Sequence, residues 1–388
     1  MNLQEFVSQP EFGLESLKKV AAEKGLTLKV WEDRVMVTYP NENTSDSSGS
    51  GPLNFSDPFT RECRGVILSN GMTNGAPSPM KIVCRSMDKL YSSTEFTTEQ
   101  LQDFFKQADE ITEELYDGSL IKLYYFNGQW TAATNRCIDA RKARWANYRT
   151  FFDLFESAAF ESAACAAGGE FDYSKLDKTS VYSFVLCHPE NRIVVNYPEP
   201  MLVHISTRNL ETNLESFNSL GISGVTQPLQ LKMDWDTFQD RLKTNPYYMP
   251  GYVLKLVDEN GKVMRIVFEC EKFKAVKTLK GNARDLSYRY LQLKREDPEK
   301  FQEFENCFPE MKWIESQMET LAREVHRSYI EFFVNHNKQH FTHRDLWELL
   351  SELHTLFLRT REPTSLLKVK QHLKSYPLDK LTRLLKMN

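Results

Sequence analysis

The chain has 388 residues, enough for two or three domains, and its 41% apolar and 26% charged residues are those of an ordinary packed protein. A net charge of −4 excludes a chain that is basic in bulk, so any contact with RNA or DNA has to come from a local basic groove. Seven cysteines without a Cys-x-x-Cys pair, a start without a secretory or myristoylation signal, and no apolar run near the ~20 residues a bilayer demands predict reduced thiols, an intracellular setting (cytoplasmic or nuclear) and no membrane.

Residues 3–24 read as amphipathic helical material that Gly25 stops. LTLKVWEDRVMVTY alternates as one or two strands. The Ser-, Gly-, Asn- and Pro-rich stretch 40–58 is a surface loop inside a domain, because strand signals resume at once. RGVILSNG and KIVCRSMDKLY are strands, and TEFTTEQLQDFFKQA is a helix with Thr and Glu entry signals. SLIKLYYFNGQWTAAT is a hairpin turning at Asn127-Gly128. ARWANYRTFFDLFESAAF is a helix, and ESAACAAGGE is small-residue filler. VYSFVLCHPENRIVVNY gives two β-runs interrupted by His188-Pro189-Glu190-Asn191. GYVLKLVDENGKVMRIVFE is a second hairpin, turned at Glu259-Asn260-Gly261-Lys262. From Lys272 onward the period is helical, with breaks at Pro298, Pro309, Pro363 and Pro377. The expected organisation is an α+β domain over 1–285 and an all-helical C-terminal domain over 286–388.

Asp117-Gly118-Ser119 by itself is only a turn. Five pieces in order carry more: RECRGVIL (61–68), CRSMDKLY (84–91), ELYDGSLIKLYY (114–125), YSFVLCHPENRIV (182–194) and GYVLKL with MRIVFE (251–269). Together they resemble the T-even phage type of RNA ligase, the RNA ligase 1 family within the covalent nucleotidyltransferases. The resemblance implies a ligase fold of antiparallel sheets with flanking helices, followed by a helical domain. It also implies a chemistry. A lysine amine attacks the α-phosphate of ATP to form lysyl-AMP, and must be desolvated or set among cations to do so. Carboxylates hold Mg²⁺ and orient the ribose, and basic residues balance the phosphates. AMP then passes to an RNA 5′-phosphate, and a 3′-hydroxyl displaces it.

Carried onto this chain, the resemblance puts Leu115 in the nucleophile's position, and leucine forms no phosphoramide. The strand-borne Glu falls at Val185, the Glu before Gly-Tyr-Val at Pro250, and the paired lysines at Arg265 and Val267. The Arg-Gly or Lys-Gly usual after the hairpin is Asn135-Arg136. Arg64, Lys89, Asp117, Gly118 and Arg265 match nucleotide-binding positions, and Ser119 and Asn191-Arg192 persist. Loss of both charge signs at once predicts a retired site turned toward apolar packing, with Leu115, Val185 and Val267 meeting where the nucleotide would lie. ATP and Mg²⁺ are the cofactors implied if activity or binding persists; no metal site is otherwise expected.

Three readings stay open. The first is a pseudo-ligase that binds RNA, a nucleotide or a protein partner. The second is an active ATP-dependent RNA ligase with displaced groups, for which Lys122 is the one alternative nucleophile. The third is a structural subunit of a larger viral or RNA-processing assembly. The lysine-rich segment 272–296, with Lys277, Lys280 and Arg284, is the candidate RNA-backbone contact. His188 reads as a satisfied loop histidine, and His336, His340 and His343 as solvated ones.

Overall fold

The computed structural model describes the chain apart from residues 10, 32, 41–52, 74–75, 78, 145–148, 162–170, 282–285, 338–343 and 387–388. It separates into two compact units, Met1–Lys274 and Ala275–Asn388. The surface-loop stretch and the small-residue filler expected from the sequence lie largely or wholly outside the described residues.

The first unit is α+β. A four-stranded antiparallel sheet takes Thr27–Val30, Arg34–Thr38, Val66–Ser69 and Ile82–Cys84 in that order. Helices Leu3–Val7 and Leu14–Glu23 close one face over Val35, Val37, Val66 and Leu68. Gly25, at φ +68, ends the second of these helices as expected.

A six-stranded sheet is built on the hairpin Ser119–Phe126 and Gln129–Ala133, followed by Ser180–Cys187 and Met201–Asn209. Asn127 and Gly128 both take positive φ, 48° and 82°, the geometry that a two-residue hairpin turn requires. One face of this sheet buries Ile121, Leu123, Phe184 and Leu186 with Phe151, Leu154 and Phe155 of the helix Phe151–Glu161. The other face places Tyr124, Phe126 and Ala133 against Met36, Ile67, Val83 and Cys84 of the four-stranded sheet.

The five-stranded sheet runs in the order Gln230–Lys232, Ile111–Leu115, Gly251–Val257, Val263–Glu269, Leu90–Ser92. Tyr252 and Phe268 on one face stack on Phe238 of the helix Trp235–Thr244, and Phe238 in turn meets Phe105 of the helix Thr98–Gln107. Among the described residues, pairing is antiparallel except for two parallel contacts, Met201–Asn209 with Val225–Thr226 and Val263–Glu269 with Leu90–Ser92.

The second unit is all helical. Its longest helices are Trp313–Tyr329 and Arg344–Thr360, each turning an apolar stripe inward: Leu321 and Val325 on one, Leu349 and Leu353 on the other. Pro298 opens a helix and Pro309 a short turn, as helix-entry prolines do. No helix among the described residues is long and apolar enough to cross a membrane.

Two expectations are corrected. The helix expected from Ala143 starts at Phe151, where Thr150 and Asp153 cap each other's backbone N–H groups at 2.7 and 3.1 Å. RIVVNY forms no strand: the N–H groups of Val194 and Val195 both donate to Asp117 Oδ2, at 2.7 Å each, so they are not available to a ladder.

Candidate functional site

The turn at Asp117 joins two sheets. Leu115 ends its strand opposite Gly251 of the five-stranded sheet, and Ser119 opens the hairpin strand opposite Leu186 of the six-stranded one. Asp117 holds this corner. Its carboxylate accepts from Val194 and Val195, and its own N–H donates to Tyr197 Oη at 3.0 Å. Gly118 is required by close approach: a Cβ there would stand 2.5 Å from the Leu186 carbonyl oxygen and 2.7 Å from Val185 Cγ1. Ser119 Oγ accepts from Asn191 Nδ2 at 3.0 Å.

Alternation along the strands decides what faces what. On the five-stranded sheet, Leu115 lies across from Gly251, Glu113 across from Val253 and then Val267, and Lys255 across from Arg265. These residues share one face, because their positions differ by two along each strand. Val185 belongs to the other sheet, beside Gly118, between Leu120 and Val203. Leu115, Val185 and Val267 are each only partly buried. The face carrying Leu115 and Val267 also carries Glu113, Lys255 and Arg265, so it is a charged surface with apolar gaps.

Those charges are paired internally. Lys255 bonds Glu113 and lies over the Phe217 ring at 3.8 Å. Arg265 meets Glu215 at 2.5 Å, and Glu215 also takes Arg208. Arg208 reaches Asp88 at 3.5 Å, Asp88 takes Arg85 at 3.0 Å, and Arg85 reaches Glu62 at 3.3 Å. Four cations thus face four carboxylates in one connected neighbourhood. Burial tends to raise the Glu215 carboxyl, but the Arg265 and Arg208 guanidinia outweigh it and hold it below its ordinary value. Removing one member of such a buried set costs roughly 3–5 kcal/mol, because the other is left uncompensated.

Arg64 lies between the helix Pro58–Glu62 and the strand Val66–Ser69. Its Nη1 is shielded from solvent and has no hydrogen-bond partner, and burial pushes the guanidinium down to about 10. Lys89 is engaged: its ammonium meets Glu95 and lies 4.1 Å from the Phe55 centroid and 4.5 Å from that of Tyr91. It lines a cleft of about 490 Å³ together with Arg61, Phe104 and Met264, to which Leu115, Asp117 and Gly118 contribute nothing. Pro250 is buried, its carbonyl accepting from Cys270 N at 2.9 Å. Val185 and Pro250 offer no side-chain oxygen, and the described residues hold no group of three or more His, Cys, Asp or Glu that could bind a metal. The residues at those positions therefore do not fit a Mg²⁺ ion.

Lys122 stands out. It is 0% exposed, on the hairpin strand, directly across from Ser183. Its ammonium donates to the Gly65 carbonyl. Burial pushes it down to about 8, Arg64 adding to the push and Cys84 opposing it. His188 is buried and satisfied, Nε2 on Ser157 Oγ at 3.2 Å and Nδ1 accepting from Glu190 N at 3.0 Å. In the second unit Lys277 is exposed and Lys280 is buried, while Arg284, His340 and His343 lie outside the described residues. Sequence reasoning missed the set of paired charges. Its one signal was charged residues at mid-strand positions, Arg208, Lys255 and Arg265, which a folded strand rarely tolerates without partners.

No protein-family model matches the chain. It is 30% identical over 167 residues, 40% of its length, to a protein named as a bifunctional polynucleotide kinase/RNA ligase of Autographa californica nuclear polyhedrosis virus. It is 25% identical over 171 residues to immediate-early protein ICP-46 of Frog virus 3. The matches take in 22% and 41% of those proteins' own lengths. Among solved structures, an archaeal ATP-dependent RNA ligase aligns over 80% of each chain at 12% identity with a TM-score of 0.44. The likeness to RNA ligases read from the motifs is thus borne out by the sequence match to the baculovirus protein.

Proposed function

We propose that this chain is an RNA-ligase-like protein that does not form lysyl-AMP at position 115 and acts by binding RNA, a nucleotide or a protein partner. The observation that carries the reading is Leu115 itself: it stands two residues before a turn kept in place by Asp117 and Gly118, with an apolar side chain where the chemistry needs an amine. The pairing of Arg265 with Glu215 and of Lys255 with Glu113 supports it. Cations already neutralised by neighbouring carboxylates have little charge to offer a triphosphate. Val185 and Pro250 carry no carboxylate, so those positions supply no side-chain ligand to an ion that would screen the phosphates.

The two curated relatives are viral, one of them named for RNA ligation, which favours RNA as the polymer handled and a viral setting. In the basic segment, Lys277 is exposed, as are Lys272, Lys294 and Arg295, and we take Lys277 as part of a phosphate-backbone contact. Titration of the full chain with single-stranded RNA and with ATP, at two salt concentrations, tests the binding role. Salt-dependent binding of either ligand supports it. Binding of neither contradicts the RNA and nucleotide roles and leaves a protein partner or the scaffold reading.

One observation favours a second reading, an active ligase with a displaced nucleophile: Lys122, a buried amine held near 8. Retention of label from ATP marked at its α-phosphate, in detergent-denatured protein, would establish it.

A further inference from the structure

Four helices of the second unit, Leu286–Glu296, Trp313–Tyr329, Leu366–Ser375 and Leu378–Leu385, surround a cavity of about 580 Å³. The first brings Leu291, Lys294 and Arg295, and the third brings Lys370, Leu373 and Lys374. Spacings of three and four put each set on one helix face. The second helix turns Met318 and Ala322 to the same space, and the last adds Leu381. Leu291, Ala322, Leu373 and Leu381 are buried, and Met318 is half-buried beside them. Ala322 offers one methyl group where the other helices bring leucines, which leaves the room. Protein interiors close up voids of this size. A pocket of about 300–1,000 Å³ with apolar walls and a few polar groups is the form that a small-molecule site takes.

The charges at its edge are unequal: Lys294, Arg295, Lys370 and Lys374 against Glu315 and Glu319. Lys294 pairs with Glu315, which also accepts from Tyr290 Oη at 2.8 Å, and Lys370 pairs with Glu319 at 2.7 Å. Both carboxylates are thus engaged. Arg295 donates to the carbonyls of Leu373 and Tyr376 at 3.0 and 2.7 Å, which fixes its guanidinium at the end of the helix that carries Lys374. Lys374 is exposed and makes no ion pair among the described residues. In a chain of net charge −4, a local surplus of cations beside an apolar wall selects an anion.

We propose that this cavity binds a small amphipathic anion, an aryl or alkyl body carrying one carboxylate or sulfonate. The body lies on Leu291, Met318, Leu373 and Leu381, and the charge lies toward Lys374 and Arg295. The site belongs to the helical unit and does not depend on how the corner at Asp117 is read.

The test is fluorescence titration of the full chain with 1-anilinonaphthalene-8-sulfonate, an aromatic body with one sulfonate, beside the uncharged N-phenyl-1-naphthylamine. The wild type binds the sulfonate saturably at one site and the uncharged dye at least fivefold more weakly, and decanoate displaces the sulfonate. Lys374→Glu, at an exposed position, raises the Kd for the sulfonate by about fivefold or more. Lys312→Glu, at an exposed position of the same unit outside the cavity, leaves it unchanged. Met318→Trp, with its helical circular dichroism intact, fills the space and abolishes binding. Non-saturating binding, equal affinity for the two dyes, or a Kd in Lys374→Glu equal to that in Lys312→Glu overturns the proposal. Displacement of the dye by an acidic peptide but not by decanoate also overturns it, since the occupant is then a protein segment.

Discussion

Lys122 is where residue chemistry and stability meet. Its ordinary value of 10.5 falls to about 8 through burial, with Cys84 opposing the fall and the neighbouring Arg64 adding to it. Below pH 8 the fold carries a buried ammonium and bears the full penalty. Between 8 and 10.5 the unfolded chain binds more protons than the folded one, so this group's contribution to stability rises with pH. We predict that the denaturant-derived stability of the wild type, relative to Lys122→Met, improves by about 2 kcal/mol from pH 7 to 9.5. A flat difference would mean that Lys122 is neutral throughout. Asp117 is a second residue with a local job. Asp117→Ala strips the acceptor from two backbone N–H groups and should lower stability by about 2–4 kcal/mol in denaturant titration. A loss under 1 kcal/mol would contradict the role given to its carboxylate. The importance of Asp117 was legible in the sequence as part of a turn. That it suppresses a strand at Val194–Val195 was not, because the partner lies 77 residues away.

At the scale of elements, the strands and helices followed from local pattern wherever one face was buried. The Asn127-Gly128 hairpin and the Gly251–Glu269 hairpin came from alternation and turn chemistry, and both formed. The charged set did not come from local pattern, because its members arrive from separate elements: Glu62 from a short helix, Arg85 and Asp88 from the link after a strand, and Arg208, Glu215 and Arg265 from three strands. A single sequence shows such residues as scattered charges. Their coupling can be measured. Glu215→Gln leaves Arg265 and Arg208 short of a counter-charge and should cost about 3–5 kcal/mol. Adding Arg265→Met should recover part of that loss, giving a double-mutant coupling of at least 1 kcal/mol. Strict additivity would show that the two side chains do not depend on each other. For the same reason the expectation of an apolar pocket was too simple. Leu115 and Val267 are apolar, but their sheet face keeps its charges by pairing them.

At the scale of the whole molecule, the change to a helical period after Lys272 led to an expected boundary at residue 285, whereas the structure divides after Lys274. The likeness to RNA ligases was legible only through the motifs and their order. Composition and net charge gave no hint of RNA, and the sequence matches cover only part of each viral relative. The structure shows a turn held by Asp117 and Gly118, Leu115 two residues before it, and the cations Lys255 and Arg265 of the same sheet face paired with carboxylates. The central claim is that this corner binds without adenylyl transfer. Its most direct test is to incubate the full chain with Mg²⁺ and ATP labelled at the α-phosphate, then separate it in detergent, with Lys122→Met alongside. The account predicts no label on either protein. Label on the wild type would contradict it, and disappearance of that label in Lys122→Met would identify Lys122 as the nucleophile.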